Sequence, residues 1–182
     1  MADEIVVATT DGDYEVFGGL IREYWDWLHA RYADLPGFID AVGGHQALDA
    51  ELKALSEAYG PPEGKVLLAM REGQISGGIA YRDRHDGSCE MKRLLPQSFP
   101  RAGHRAVAVP GASRHRLRRR YRVMRLDTGS QNSEALAMYK SLGFHERLAY
   151  HENPTDLMTH LRFLEKPLVH RSAEQVAAPR HP

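Results

Sequence analysis

Cysteine is almost absent from this chain. A single Cys89 among 182 residues excludes an internal disulfide and a multi-cysteine metal site. Long apolar runs are missing too: no window approaches the ~18 consecutive apolar residues of a membrane-spanning helix. The opening "MADEIVVATT" has neither the basic flank nor the apolar centre of a secretory signal. At Asn153 the triplet "NPT" is no glycosylation acceptor, because proline follows the asparagine. The ten histidines never fall at H-x-x-x-H or H-x-E spacing, so no metal is expected. There are no RNP aromatics, KH loop or zinc pattern to recognise nucleic acid. Together these absences fit a soluble protein of a reducing compartment, the cytoplasm.

Net charge is absent as well, since 24 Lys and Arg balance 24 Asp and Glu. The balance is uneven along the chain. Leu95 to Arg120 holds seven arginines and no acidic residue. Removing those seven from the 24 leaves 17 basic against 24 acidic residues elsewhere, a net of −7. The densest part is "SRHRLRRR", Ser113 to Arg120. Such a run reads either as a phosphate-binding patch or as a solvated basic face.

What is present is a mixed pattern of periods. "EIVVATT" (Glu4 to Thr10) is a short β-like run. Phe17, Leu20, Ile21, Tyr24, Trp25 and Leu28 recur at helical spacing and define one apolar face. Leu48, Leu52 and Leu55 suggest a second helix, ended by "YGPPEG" at Tyr59 to Gly64. "KVLLAMREGQISGGIAYRDRHDGSCEMKRL" then reads as three strands with turns at Glu72-Gly73 and Asp86-Gly87. "YRVMRLDT" (Tyr121 to Thr128) is a strand, and "SQNSEALAMYKSLGF" is a helix with Gly143 where a left-handed cap is wanted. "HERLAYHENP" and "DLMTHLRFLEK" read as the last strands. One domain over residues 4–168 and a loose polar tail over 169–182 account for the chain. The element order implies a mixed α/β layer structure.

This order, with these residues, resembles the GNAT family of acyl-CoA-dependent N-acetyltransferases. The pieces that carry the likeness are "VLLAMREGQISGGIAYRDRHDGSCEMKRL" and "YRVMRLDTGSQNSEALAMYKSLGF". The second, with its Asn, Ala, Leu-x-x-Tyr and Leu-Gly-Phe spacing, is the more diagnostic. The resemblance implies a mostly antiparallel central sheet with helices on both faces, and acetyl-CoA as co-substrate. It implies that the backbone of Lys92, Arg93 and Leu94, on a strand splayed from the next, bonds the pantetheine arm and the thioester carbonyl. Such amides also stabilise the oxyanion of the tetrahedral intermediate. Tyr139 matches the family tyrosine that protonates the departing thiolate; on periodicity alone it is a packed core residue. Asn132 matches an asparagine near the cofactor arm, or is a helix cap. Glu90 is a candidate base for the attacking amine, or the partner of an ion pair with Lys92 or Arg93. Cys89 beside it packs rather than reacts.

One family feature is missing. A Gly-rich turn, Arg/Gln-x-x-Gly-x-Gly/Ala, opening a helix should hold the CoA pyrophosphate on its free amides. The chain instead gives "LPQSFPRAGHRAVAVPGASRHRLRRR", of which only Phe99 and Gly103 fit. Pro110 interrupts the helix at a cost of ~3 kcal/mol or more. The genetic code supplies a third reading of the arginine run. Shifting each codon forward by one base converts this stretch, with permitted codons, into "YLKAFRARGIGRSLCQALVDIASAAG". That string contains the pyrophosphate motif, continues as an amphipathic helix, ends on glycine and loses nearly all the arginines. The expectation is a segment read out of frame from about Leu95 to Arg120, with one base gained and one lost at its edges.

The chain is therefore expected to acetylate a primary amine, on a small molecule or a peptide. The acceptor has no motif, and the oligomeric state stays open, a homodimer included. No membrane or nucleic-acid partner is expected. Two alternatives remain: a pseudoenzyme of the same fold that has lost its grip on CoA, and a basic-patch protein that binds nucleic acid.

Overall fold

The computed structural model describes residues 4–96 and 120–168. Its centre is a seven-stranded sheet of β1 (Glu4–Val7), β2 (Gly64–Arg71), β3 (Gln74–Asp83), β4 (Ser88–Pro96), β5 (Val123–Gly129), β6 (His145–Arg147) and β7 (Leu161–Pro167). The spatial order is β1-β2-β3-β4-β5-β7-β6. Among the described residues every pairing is antiparallel except β4 with β5. The mixed, mostly antiparallel sheet expected of the fold class is thus the one formed.

The first helix, α1 (Asp11–Arg31), buries Phe17, Leu20, Ile21, Trp25 and Leu28, the stripe read from the sequence. Its start is fixed by a capping box. Thr10 Oγ1 accepts from the Asp13 amide at 3.2 Å, while Asp13 Oδ2 accepts from the Thr10 amide at 2.9 Å. On one face of the sheet this helix packs on Val66, Leu68, Ala80 and Leu95. On the other face Leu67, Ile79, Cys89, Met91, Leu126 and Leu164 form a second core. Helix α5 (Ser133–Ser141) covers that face through Tyr139. The strand alternation between Val66, Leu67 and Leu68 is what separates the two cores.

Three stretches differ from the sequence reading. The second helix is broken into α2 (Phe38–His45), α3 (Leu48–Lys53) and α4 (Leu55–Tyr59). Ala54, at φ −137°, interrupts the last two. The period of Leu48, Leu52 and Leu55 hid that break, and the Gly43-Gly44 pair hid α2. "HERLAYHENP" yields only the three-residue β6, after which residues 148–154 form a loop. "DLMT" is not strand: Thr155–Met158 is a helical turn, α6, before β7. Strand β5 begins at Val123, two residues later than expected, with Tyr121 buried ahead of it and edge-on to Tyr81.

The turn residues behave as their chemistry requires. Glu72 and Gly73 both have positive φ, 53° and 76°, the mirror-image turn that matches strand twist. Gly143, at φ 88°, ends α5. Its amide bonds Lys140 O and the Phe144 amide bonds Tyr139 O, each at 3.0 Å, the paired bonds of a Schellman cap. Among the described residues no helix is long and apolar enough to cross a membrane.

A candidate active site where two strands part

The parallel strands β4 and β5 pair only at Ser88↔Val123, Cys89↔Met124 and Glu90↔Arg125. Beyond Glu90 they separate. The β5-facing backbone edge of Met91 to Leu94 therefore has no strand partner among the described residues. A cavity of about 100 Å³ occupies the opening. It is lined from both sides of the sheet, by Tyr24 and Trp25 of α1 and by Tyr139 of α5. Only a parted sheet lets side chains from opposite faces share one space.

A bulge in β4 lies beside the parting. Arg93 has φ 55°, in the left-handed region, and the register on β3 slips between Gly78 and Ala80. A left-handed arginine is strained unless its surroundings fix it. Here Nε and one terminal nitrogen of Arg93 donate to both oxygens of Glu51 at 2.9 Å and 2.7 Å. Its guanidinium also lies 4.6 Å from the Trp25 ring. Both charged groups are nearly buried, and Tyr59 donates a further bond to Glu51 at 3.0 Å. The sequence alternative that paired Arg93 with Glu90 is corrected by this geometry.

Beside the cavity lies a polar cluster. Glu90, fully buried, accepts from Arg82 at 2.8 Å, Arg84 at 3.3 Å and the Tyr150 hydroxyl at 2.8 Å. Lys92 Nζ stands 3.5 Å from Glu90 and 3.3 Å from Asp127. His151 Nε2 stands 3.5 Å from Asp127. Burial alone would raise the Glu90 carboxyl, but Lys92, Arg82 and the Tyr150 bond outweigh it and hold it below its ordinary value. Burial likewise opposes ionisation of Asp127, and Lys92 and His151 override it, so its carboxyl is held far down. Glu90, Asp127 and His151 offer three ligand atoms within 4.8 Å of one another. Lys92 already places its positive charge beside the two carboxylates and opposes a metal ion there.

The other site residues fall as follows. Tyr139 lines the cavity and is buried. Burial, then Tyr24 and Asp127, push its phenol well above the ordinary value. Asn132 precedes α5 but does not cap it: its side chain turns to Thr128 Oγ1 at 3.5 Å. Its Oδ1 is buried without a partner. Lys92, Arg93 and Leu94 all line the cavity. Cys89 is fully buried in the second core, and burial pushes its thiol up to about 12. Gly103 and nearly all of the expected out-of-frame segment lie outside the described residues. Arg120, at its end, donates to Asp83 at 2.6 Å and to Pro62 O at 2.8 Å. That arginine is thus engaged within the fold.

Sequence reasoning missed Tyr24, Gln46, Asp127, Tyr150 and His151. Tyr24 was visible in the apolar stripe, and Asp127 in "VMRLDT", but neither carried a sign of function. Tyr150 and His151 were hidden by the strand reading of their loop. Tyr150 is held there by the Arg84, Arg125 and Arg147 guanidinium groups, 5.0, 5.8 and 5.5 Å from its ring.

Among the described residues the mixed sheet has one parallel pair, parted over a two-sided cavity, and known proteins share this fold. The chain is 33% identical over 120 residues to an uncharacterised N-acetyltransferase of Schizosaccharomyces pombe, covering 64% of this chain and 74% of that one. Two solved structures share the fold, each covering 92% of this chain and 99% of its own, with a TM-score of 0.63. One is an acetyltransferase of Streptococcus agalactiae, 16% identical. The other is the PaiA N-acetyltransferase of Thermoplasma acidophilum in complex with coenzyme A, 19% identical. No protein-family model matches. The chain belongs to the GNAT family of N-acetyltransferases.

Proposed function

We propose that the protein moves an acetyl group from acetyl-CoA to a primary amine, in the cytoplasm. The observation that carries this is the opening beyond Glu90, where an unpaired strand edge and Tyr139 meet one cavity. The amides of Lys92, Arg93 and Leu94 bond the pantetheine arm and the thioester oxygen, with Asn132 Oδ1 taking a pantetheine N–H. Gly103, by the family resemblance, would meet the pyrophosphate. The amine lone pair attacks the thioester carbon and an oxyanion forms against the β4 amides. The carbon–sulfur bond then breaks, leaving an N-acetyl amide and CoA thiolate.

Two protons must move. The attacking amine gives up one, which passes toward Glu90. Because Glu90 is fully buried and bonded to Tyr150, the transfer runs through Tyr150 or water rather than by direct contact. The thiolate takes the other from the direction of Tyr139. A phenol held this far up stays protonated at neutral pH, so its first contribution is a hydrogen bond to the developing thiolate.

The test is release of CoA thiol from acetyl-CoA across a panel of primary amines. Amine-dependent release supports the reading, and none with any amine overturns it. The sequence over residues 95–120 favours a second reading, a pseudoenzyme whose CoA loop is read out of frame. The nucleotide sequence across these codons decides that point. If no single-base shift yields the R-x-x-G-x-G helix, the frame reading fails.

A further inference from the structure

Part of the cavity wall is aromatic: Tyr24 and Trp25 from α1, then Tyr32 and Phe38 where α1 hands over to α2. The Tyr32 and Phe38 rings sit 5.1 Å apart, and the Tyr24 and Trp25 rings 5.9 Å apart. Gln46, just past the end of α2, also lines the cavity and has a buried Oε1 with no partner. A buried carbonyl left unpaired is costly and calls for a donor. The cations that line the cavity among the described residues are Lys92 and Arg93. Arg93 is spent on a bidentate pair with Glu51, and Lys92 lies between Glu90 and Asp127. Asp127 lines the cavity as well, and its depressed proton affinity keeps it charged.

These features select one kind of ligand. Among the described residues a substrate carboxylate would meet no uncommitted cation in the cavity wall, a heavy penalty in a partly buried space. An ammonium gains from the aromatic faces, from Asp127 and from the waiting Gln46 oxygen. An aryl group gains from ring contacts with Trp25 and Phe38. We infer that the acceptor is a carboxylate-free arylalkyl primary amine, seated on the α1–α2 aromatic wall with Gln46 taking one of its N–H bonds. This inference rests on the acetyltransferase reading for its chemistry, but the ligand preference is a property of the wall itself.

The experiment uses a matched pair, 2-phenylethylamine and phenylalanine, which share ring and amine and differ by the carboxylate. Calorimetry on the full chain measures binding of each, and acetyl-CoA turnover is measured in parallel. The expected result is that 2-phenylethylamine binds about tenfold or more tightly than phenylalanine. Gln46→Leu should weaken it by roughly fivefold, the loss of one hydrogen bond, while leaving thermal melting within a degree or so. Equal or tighter binding of phenylalanine overturns the inference, as does saturable binding of neither. An aliphatic diamine such as 1,4-diaminobutane binding more tightly than 2-phenylethylamine overturns it too. Binding of 2-phenylethylamine without acetyl-CoA turnover of any amine leaves this inference standing and removes the acetyltransferase reading. Turnover confined to phenylalanine or other carboxylate-bearing amines does the reverse.

Discussion

At the scale of single residues, the site is governed by what burial does to protons. The Tyr139 phenol is pushed up by burial and by Tyr24 and Asp127, which fixes it as a donor at neutral pH. Replacing Tyr139 with Phe removes only the hydroxyl. The expected outcome is a fall in kcat of tenfold or more, about 1.4 kcal/mol of barrier. The KM for acetyl-CoA should change much less, because the hydroxyl acts on the leaving sulfur, and steady-state kinetics separates the two. The Asp127 carboxyl is displaced the other way. Its folded-state proton affinity is depressed, so the stability it contributes is present above the ordinary carboxylate range, near about 4. That stability is lost as pH falls through the lower folded value. Melting temperature should therefore drop on acidification below about pH 4. In Asp127→Asn the drop should be shallower and the neutral-pH melting temperature lower, since Lys92 then loses one of its two carboxylates. Thermal scans from neutral to acid pH check both.

At the scale of elements, close approach decides what the sequence can hold. The end of β5 runs under the α1 carboxyl end, and a Cβ on Gly129 would lie 2.0 Å from the Tyr32 hydroxyl. Gly129→Ala is expected to cost roughly 1–3 kcal/mol and to disturb the aromatic wall, as measured by denaturant unfolding and amine binding. Gly143→Ala should cost about 1 kcal/mol, because φ 88° suits only glycine well. Where local pattern and fold agreed, the sequence was readable: the α1 stripe, the Glu72-Gly73 turn, three successive strands and the Gly143 cap all formed as read. The pattern failed where short elements left too few residues to show a period. The break at Ala54, the glycine-bearing α2 and the loop after β6 are such places. At the candidate site, local rules placed Glu90, Lys92 and Tyr139 on their strand and helix, while the roles proposed for Lys92 and Tyr139 came from the family resemblance. Their partners Asp127, Tyr150 and His151 come together only through the pairing of β5 with β7, which no short-range signal records.

At the scale of the whole molecule, the fold depends on a parted sheet. Seven strands bury two cores on opposite faces, yet the one parallel pair among the described residues stops after three residues on each strand. The Arg93–Glu51 pair and the Trp25 ring brace the bulge beside the opening. An unpaired strand edge next to a cavity is an expense unless a ligand completes it. We take acetyl-CoA to be that ligand. The most direct test of this claim is calorimetric titration of acetyl-CoA into the full chain, with desulfo-CoA lacking the thioester as a second titrant. Saturable one-to-one binding of acetyl-CoA is expected, accompanied by a rise in melting temperature. No saturable heat and no melting shift at any attainable acetyl-CoA concentration would contradict it, and would leave a protein with the GNAT fold but without its co-substrate.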